Sequence, residues 1–240
     1  AMIFQEPMAA FSPVHTVGDQ LAEPVLTHVT RDKNEVTEIV VDMLDRVGIS
    51  NPRQRILEYP QQLSGGMQQR AMIAMALSCN PNILIADEPT TALDVTTQAQ
   101  LLELMKDMVE RFQASLIIVT HNLGVVARYA QRIYIMYAGR IVESGSTKEI
   151  FGNPMHPYTV GLLKCIPRLD EEEGTKLVPI EGLPPNLINM PENCAFLPRC
   201  DMRTEKCFNQ PWPSLVPFEG EHYVACYLHS KEKTGELAGR

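Results

Sequence analysis

The chain has 240 residues, 45% hydrophobic and 21% charged, which fits an ordinary globular protein with one sizeable core or a core plus a smaller module. Its formal net charge of −8 gives no electrostatic case for DNA or RNA as a partner, and no stretch approaches the roughly 20 apolar residues of a membrane span. The opening shows no basic region followed by an apolar one, so no secretion signal is expected, and Ala1-Met2 reads as a scar ahead of a start codon.

In chain order, Met2-Ile3-Phe4 reads as a short strand entering a loop at Gln5. Residues 17–58 read as largely helical, with Val36, Ile39, Val40, Met43, Leu44 and Val47 at helical spacing and Gly48 placed to end that helix. A second helical segment follows from Leu63 to Ser78. Ile83–Ala86 reads as a buried strand between Asn80-Pro81-Asn82 and Asp87-Glu88-Pro89. Thr97–Phe112 is an amphipathic helix and Leu116–Thr120 the next strand, an order that implies a parallel pair with a crossover. Ile133–Tyr137 and Arg140–Glu143 flank Ala138-Gly139 as a hairpin. From about residue 150 the chain turns rich in Pro and Cys, with the acidic run Asp170–Glu173, and reads as an appended module of irregular backbone.

Three places carry chemistry. Ser64-Gly65-Gly66 opens a helix, where unpaired backbone N–H groups and the helix dipole suit an anion such as phosphate; two flexible glycines at an ordinary helix start are the plainer alternative. Ile83–Ala86 ends in two carboxylates, Asp87 placed to hold Mg²⁺ and Glu88 to orient or deprotonate an attacking water, although Asp-Glu-Pro also closes many solvated strands. Thr120-His121 follows the next strand, where an imidazole either donates to a phosphate oxygen or is simply structural.

Taken in order, Phe4-Gln5, Leu63–Arg70, Asp87-Glu88, Thr91–Asp94 and His121 resemble the ABC ATPase family over residues 2 to about 147. The resemblance implies an α/β P-loop NTPase core, with Gln5 as the Q-loop residue that senses metal and γ-phosphate. Ser64, Gly65, Gly66 and Gln68 would contact ATP bound to the opposite subunit, Asp87 and Gln5 would serve Mg²⁺, Glu88 and His121 hydrolysis, and Asp94 the dimer interface. The family also has a loop ending in Gly-Lys-Ser or Gly-Lys-Thr, and this sequence contains no Gly-Lys pair. The expectation is a core lacking its N-terminal part, unable to bind ATP normally alone, with a sheet strand short of a neighbour and an exposed apolar sheet surface. The expected division is 1–16 as Q-loop segment, 17–62 as helical subdomain, 63–150 as ATPase core and 151–240 as extension.

Asn153–Thr159, with Gly161-Leu162-Leu163, is similar to the extension of oligopeptide and dipeptide importer ATPases, as is Glu6–Pro13. The resemblance implies a motor subunit at the cytoplasmic face of the membrane. Its partners would be a second ATPase subunit and transmembrane permeases, with a peptide-binding protein involved only indirectly. A non-transport ABC protein and a non-catalytic metal-binding or regulatory remnant are the other readings. Cys194, Cys200, Cys207 and Cys226 supply four thiols, for an iron–sulfur cluster or tetrahedral zinc. The resemblance favours a four-iron, four-sulfur cluster; reduced thiols and disulfides stay open, and His222 and His229 are read as bystanders.

Overall fold

The computed structural model describes residues 1–5, 10–90, 93–165 and 179–229. Glu6–Ala9, Thr91, Ala92 and the acidic run Asp170–Glu173 lie outside them. The chain divides into two compact units, Ala1–His121 and Asn122–Arg240.

In the first unit, β1 (Met2–Ile3), β2 (Ile83–Asp87) and β3 (Ser115–Val119) form a parallel sheet in the order β1-β2-β3. Met2 faces Ile85, and Ile85 faces Ile117. Strand alternation turns Ile3, Leu84 and Ala86 into the core. It sends Met2, Ile83, Ile85, Ile117 and Val119 to the opposite, exposed face. The exposed apolar sheet surface expected from the sequence is therefore present. The missing neighbour is not, because β2 is paired on both sides.

Against the buried face pack α4 (Gly65–Leu77) and α5 (Val95–Arg111), through Met72, Ile73 and Leu77 on one and Leu101, Met105 and Met108 on the other. The helical stretch expected over 17–58 divides into α1 (Val17–His28), α2 (Lys33–Arg46) and a single turn, α3 (Pro52–Arg55). Thr16 caps α1 by accepting the Asp19 amide, and Asp32 caps α2 by accepting those of Asn34 and Glu35. Gly48, at φ +76°, ends α2 as its position suggests. The Arg70 guanidinium donates to the Val47 carbonyl at 2.6 Å, tying α4 to the end of α2.

The second unit opens with α6 (Leu123–Tyr129) and the hairpin β4 (Arg132–Tyr137) and β5 (Arg140–Ser146). Ala138 and Gly139 both have positive φ, as a tight hairpin turn of this hand requires. Then come α7 (Thr147–Gly152), α8 (Pro157–Lys164), α9 (Glu205–Asn209), β6 (Val216–Glu219) and β7 (His222–Val224). The four strands form one antiparallel sheet in the order β4-β5-β7-β6. The appended module is thus less irregular than its composition suggests. This compact unit begins at Asn122, because β7 pairs with β5 and draws the hairpin into it, whereas the module was expected from about residue 150.

A buried carboxylate organises that unit. Glu143 on β5 is fully buried and accepts the amides of Met155 at 2.7 Å and His156 at 2.8 Å, while His222 on β7 donates from Nε2 at 2.8 Å. Burying an unpaired carboxylate costs several kcal/mol; these three donors offset that cost and clamp the loop before α8 to the sheet. His229 donates to the Met155 carbonyl at 2.9 Å, a second tie on the same loop. His156 is itself buried and caps α8, its Nδ1 accepting the Tyr158 amide at 3.0 Å.

Burial, and then the nearby His229, push the His156 imidazole down to about 4, below the 6.5 of a free imidazole. The unfolded chain therefore takes up this proton first, so the stability it confers is present above pH 6.5 and is lost as pH falls toward 4. About 3 kcal/mol should disappear between pH 7 and pH 4 from this group. Urea denaturation across that range should show the loss, and H156N, which keeps a capping acceptor but cannot titrate, should flatten it.

Candidate active site and its relatives

Parallel strands that share a sheet end at the same edge, so the residues that follow them gather there. Gln5 lies two residues past β1, Glu88 directly after β2 and His121 two residues past β3. Glu88 joins the three. Its Oε2 accepts from Gln5 Nε2 at 2.9 Å, and its Oε1 lies 3.0 Å from His121 Nδ1. The His121 side chain is 78% exposed and that of Glu88 25%, so the carboxylate is sheltered while the imidazole remains reachable by a ligand. Asp87 is half-buried and, by strand alternation, lies on the sheet face of Ile83 and Ile85.

Glu88 adopts φ +44°, the left-handed region that a non-glycine residue enters at a cost. It also precedes Pro89, which disfavours helical backbone at the preceding residue. Its amide donates to the Val119 carbonyl at 2.9 Å, pinning the strained residue to the end of β3.

The glycine-opened helix start is a second feature of this unit. Ser64 caps α4, its Oγ accepting the Met67 amide at 3.3 Å. Gly65 is exposed, and a Cβ built there meets nothing within 4 Å; at Gly66 it lies 3.7 Å from Thr97. Thr97 belongs to the first turn of α5, so the two helix starts adjoin. Asp94 caps α5 by accepting the amides of Thr96 and Thr97 at 3.0 Å and the Thr97 hydroxyl at 2.6 Å. Those bonds, that of the hydroxyl foremost, hold its carboxyl below the usual range. Asp94 thus has a capping role that Asp-x-x-Thr before an apolar-periodic run signals and that the sequence reading passed over.

Gln68, expected at a nucleotide, faces the other way. It is 4% exposed, and its amide donates to the carbonyls of Pro60 at 2.7 Å and Leu63 at 3.3 Å. The helical period turns this position inward and commits it to the turn before α4. Gln69 is also buried and reaches the Pro89 carbonyl, a contact no sequence pattern marks.

In the second unit, Cys194, Cys200, Cys207 and Cys226 line one cavity, with His156 and Met202 also in its wall. Burial raises the thiols of Cys194, Cys200 and Cys226, the last to about 12, and neighbouring thiols of the set add to each shift. Among the described residues, no three His, Cys, Asp or Glu side chains are arranged to hold a metal ion. The four thiols face a shared space without closing on a single point. His222 and His229 serve Glu143 and Met155 instead.

A parallel sheet with an acid at a strand tip, flanked by a glycine-opened helix, is the architecture of an ATP-binding cassette. Solved cassettes share the fold. One, a dimer in a post-hydrolysis state bound to ADP and Pi, matches with TM-score 0.53 and 28% identity over 61% of this chain and 62% of that one. Another, cbiO1 of Clostridium perfringens, part of the transporter complex cbiONQ, matches with TM-score 0.56 and 27% identity over 64% and 59%. The ABC transporter family matches residues 1–91, and the oligopeptide/dipeptide transporter C-terminal region matches residues 142–207. A Brucella ovis protein named for peptide import and ATP binding is 53% identical over 94% of this chain and 68% of its own length. The dipeptide transport ATP-binding protein DppD of Bacillus subtilis is 50% identical over 96% and 68%. The oligopeptide transport ATP-binding protein OppD of Salmonella typhimurium is 47% identical over 97% and 68%. The chain belongs to the family of ATP-binding subunits of ABC-type peptide importers.

The left-handed backbone of Glu88 leads to a stability test. Asn tolerates this region, and the bonds Glu88 would lose run to the exposed side chains of Gln5 and His121, where they are worth little. E88N should therefore raise unfolding stability by about 1 kcal/mol, seen as a higher midpoint in urea. A lower midpoint would mean that the carboxylate bonds outweigh the strain.

Proposed function

We propose that this chain is the ATP-hydrolysing motor subunit of a peptide importer, peripheral at the cytoplasmic face of the membrane and paired with a second ATPase subunit on transmembrane permeases. The observation that carries this reading is the Glu88 carboxylate held between Gln5 and His121 at the tips of three adjacent strands. Glu88 orients or deprotonates the attacking water. Asp87 and Gln5 would hold Mg²⁺, whose charge would neutralise the triphosphate, and His121 would donate to a γ-phosphate oxygen. The open amides at Gly65 and Gly66, beside the Ser64 hydroxyl, face the nucleotide of the opposing subunit, and Asp94 stands at that interface. Among the described residues no helix is long and apolar enough to cross a membrane, in keeping with a chain that works against separate permeases. Peptide contacts the permeases and the binding protein, and this chain supplies the closure and release.

The four cysteines are proposed to hold a four-iron, four-sulfur cluster. The chemistry of the donor set supports it: four thiols line one cavity. The preference for a cluster over zinc rests on the spacing of the cysteines, which lacks the close pairs usual at zinc sites. A cluster bound there would supply the positive charge that lets buried thiols ionise, and would staple the segment from Cys194 to Cys226.

In the assembled transporter, E88Q should cut ATP turnover by about 10²–10⁴-fold while nucleotide still binds, as expected for loss of a general base. Wild-type complex that binds nucleotide without turning it over would contradict the motor reading. Anaerobically purified protein should carry iron and sulfide in equal amounts; zinc in their place would remove the cluster from the account.

A further inference from the structure

Gln69 sits in the second turn of α4, among Ala71, Met72 and Ile73, and is 3% exposed. Its Nε2 donates to the Pro89 carbonyl at 2.7 Å, across 20 residues of sequence. Its Oε1 is buried and has no hydrogen-bond partner among the described residues. A buried amide satisfied on one side only is a poor way to fill a core position, since an apolar side chain of like size carries no desolvation penalty there. What the amide provides is a grip on the turn that carries Glu88.

That turn needs a grip. Glu88 combines a left-handed φ with a following proline, and such conformations persist only where the surroundings over-determine them. Glu88 is fixed on one side by its own amide, bonded to Val119 on β3, and Pro89 on the other by Gln69 on α4. The carboxylate position follows from those two anchors.

We propose that Gln69 is a positioning residue for Glu88: by holding the Pro89 carbonyl it fixes the backbone that presents the carboxylate between Gln5 and His121. It also ties this carboxylate to the helix whose glycine-opened start lies one turn earlier, so the two halves of the machinery within one chain move as a unit. The inference rests on the hydrolytic role proposed for Glu88, and its test separates the two.

Two variants serve: Q69M, which matches the volume and helix preference and removes the donor, and Q69E. A buried carboxyl is held protonated to higher pH than usual, and only its protonated form donates to the carbonyl. Hydrogen exchange at the Glu88 amide is read first, on the protein without nucleotide. Q69M should exchange there at least about tenfold faster while the amides within β2 keep their protection. In the assembled transporter, Q69M should lose about 10–10²-fold in kcat with KM for ATP unchanged, as a displaced catalytic group does. Q69E should regain kcat relative to wild type as pH is lowered. Unchanged Glu88 exchange in folded Q69M overturns the proposal, as does a loss confined to KM. Wild-type complex without hydrolysis would end the functional reading and leave the exchange measurement to decide the positioning.

Discussion

Parallel pairing of β1, β2 and β3 is the constraint on which the first unit depends. In a parallel sheet all carboxyl ends meet at one edge, so three loops from distant parts of the chain must converge. The register sets Met2 beside Ile85 and Ile85 beside Ile117, and each strand releases its functional residue within two positions of its end. A slip of one residue in any strand would exchange its buried and exposed faces and carry Gln5, Glu88 or His121 out of reach. Apolar burial of Ile3, Leu84 and Ala86 against α4 and α5 is what forbids that slip.

The second unit solves a different problem by a different device. It carries fewer periodic apolar residues and uses a buried hydrogen-bonded cluster where the first unit uses helix-on-sheet packing. Glu143 joins β5, β7 and the loop before α8 through one carboxylate. The His-Pro-Tyr motif acquires a physical reading from this. His156 anchors its amide on Glu143 and its ring on the Tyr158 amide, Pro157 takes the first helical position, and the Tyr158 ring packs at a tilt against Tyr137 and Phe196. The same His156 lines the cavity of the four cysteines, so clamp and cavity share a wall.

Strands and amphipathic helices are legible in the sequence from apolar spacing and length: Ile83–Ala86 and Leu116–Val119 are short apolar runs that do form strands, although Ile83, Ile85, Ile117 and Val119 stay exposed rather than buried. The gathering of Gln5, Glu88 and His121 is legible only through their place after successive strands, since no local spacing relates residues 83 positions apart. Buried polar groups are the blind spot. Gln68 and Gln69 look like surface residues by type and are inside, and Glu143 looks like an exposed hairpin residue and is the most committed side chain of its unit. Each is held by a partner distant in sequence, His222 for Glu143 and Pro89 for Gln69, which composition and periodicity do not encode. The start of the second unit at Asn122 is hidden from local sequence for the same reason, as it follows from the pairing of β5 with β7.

The central claim is that Glu88, in its strained turn, stands where water attacks the terminal phosphate. A crystal structure of the assembled ATPase pair with Mg²⁺ and a non-hydrolysable ATP analogue tests it most directly. The account predicts a Glu88 carboxylate oxygen within about 2.6–3.2 Å of a water in line with the γ-phosphate. A Glu88 turned away from that water, with another side chain in its place, would contradict it.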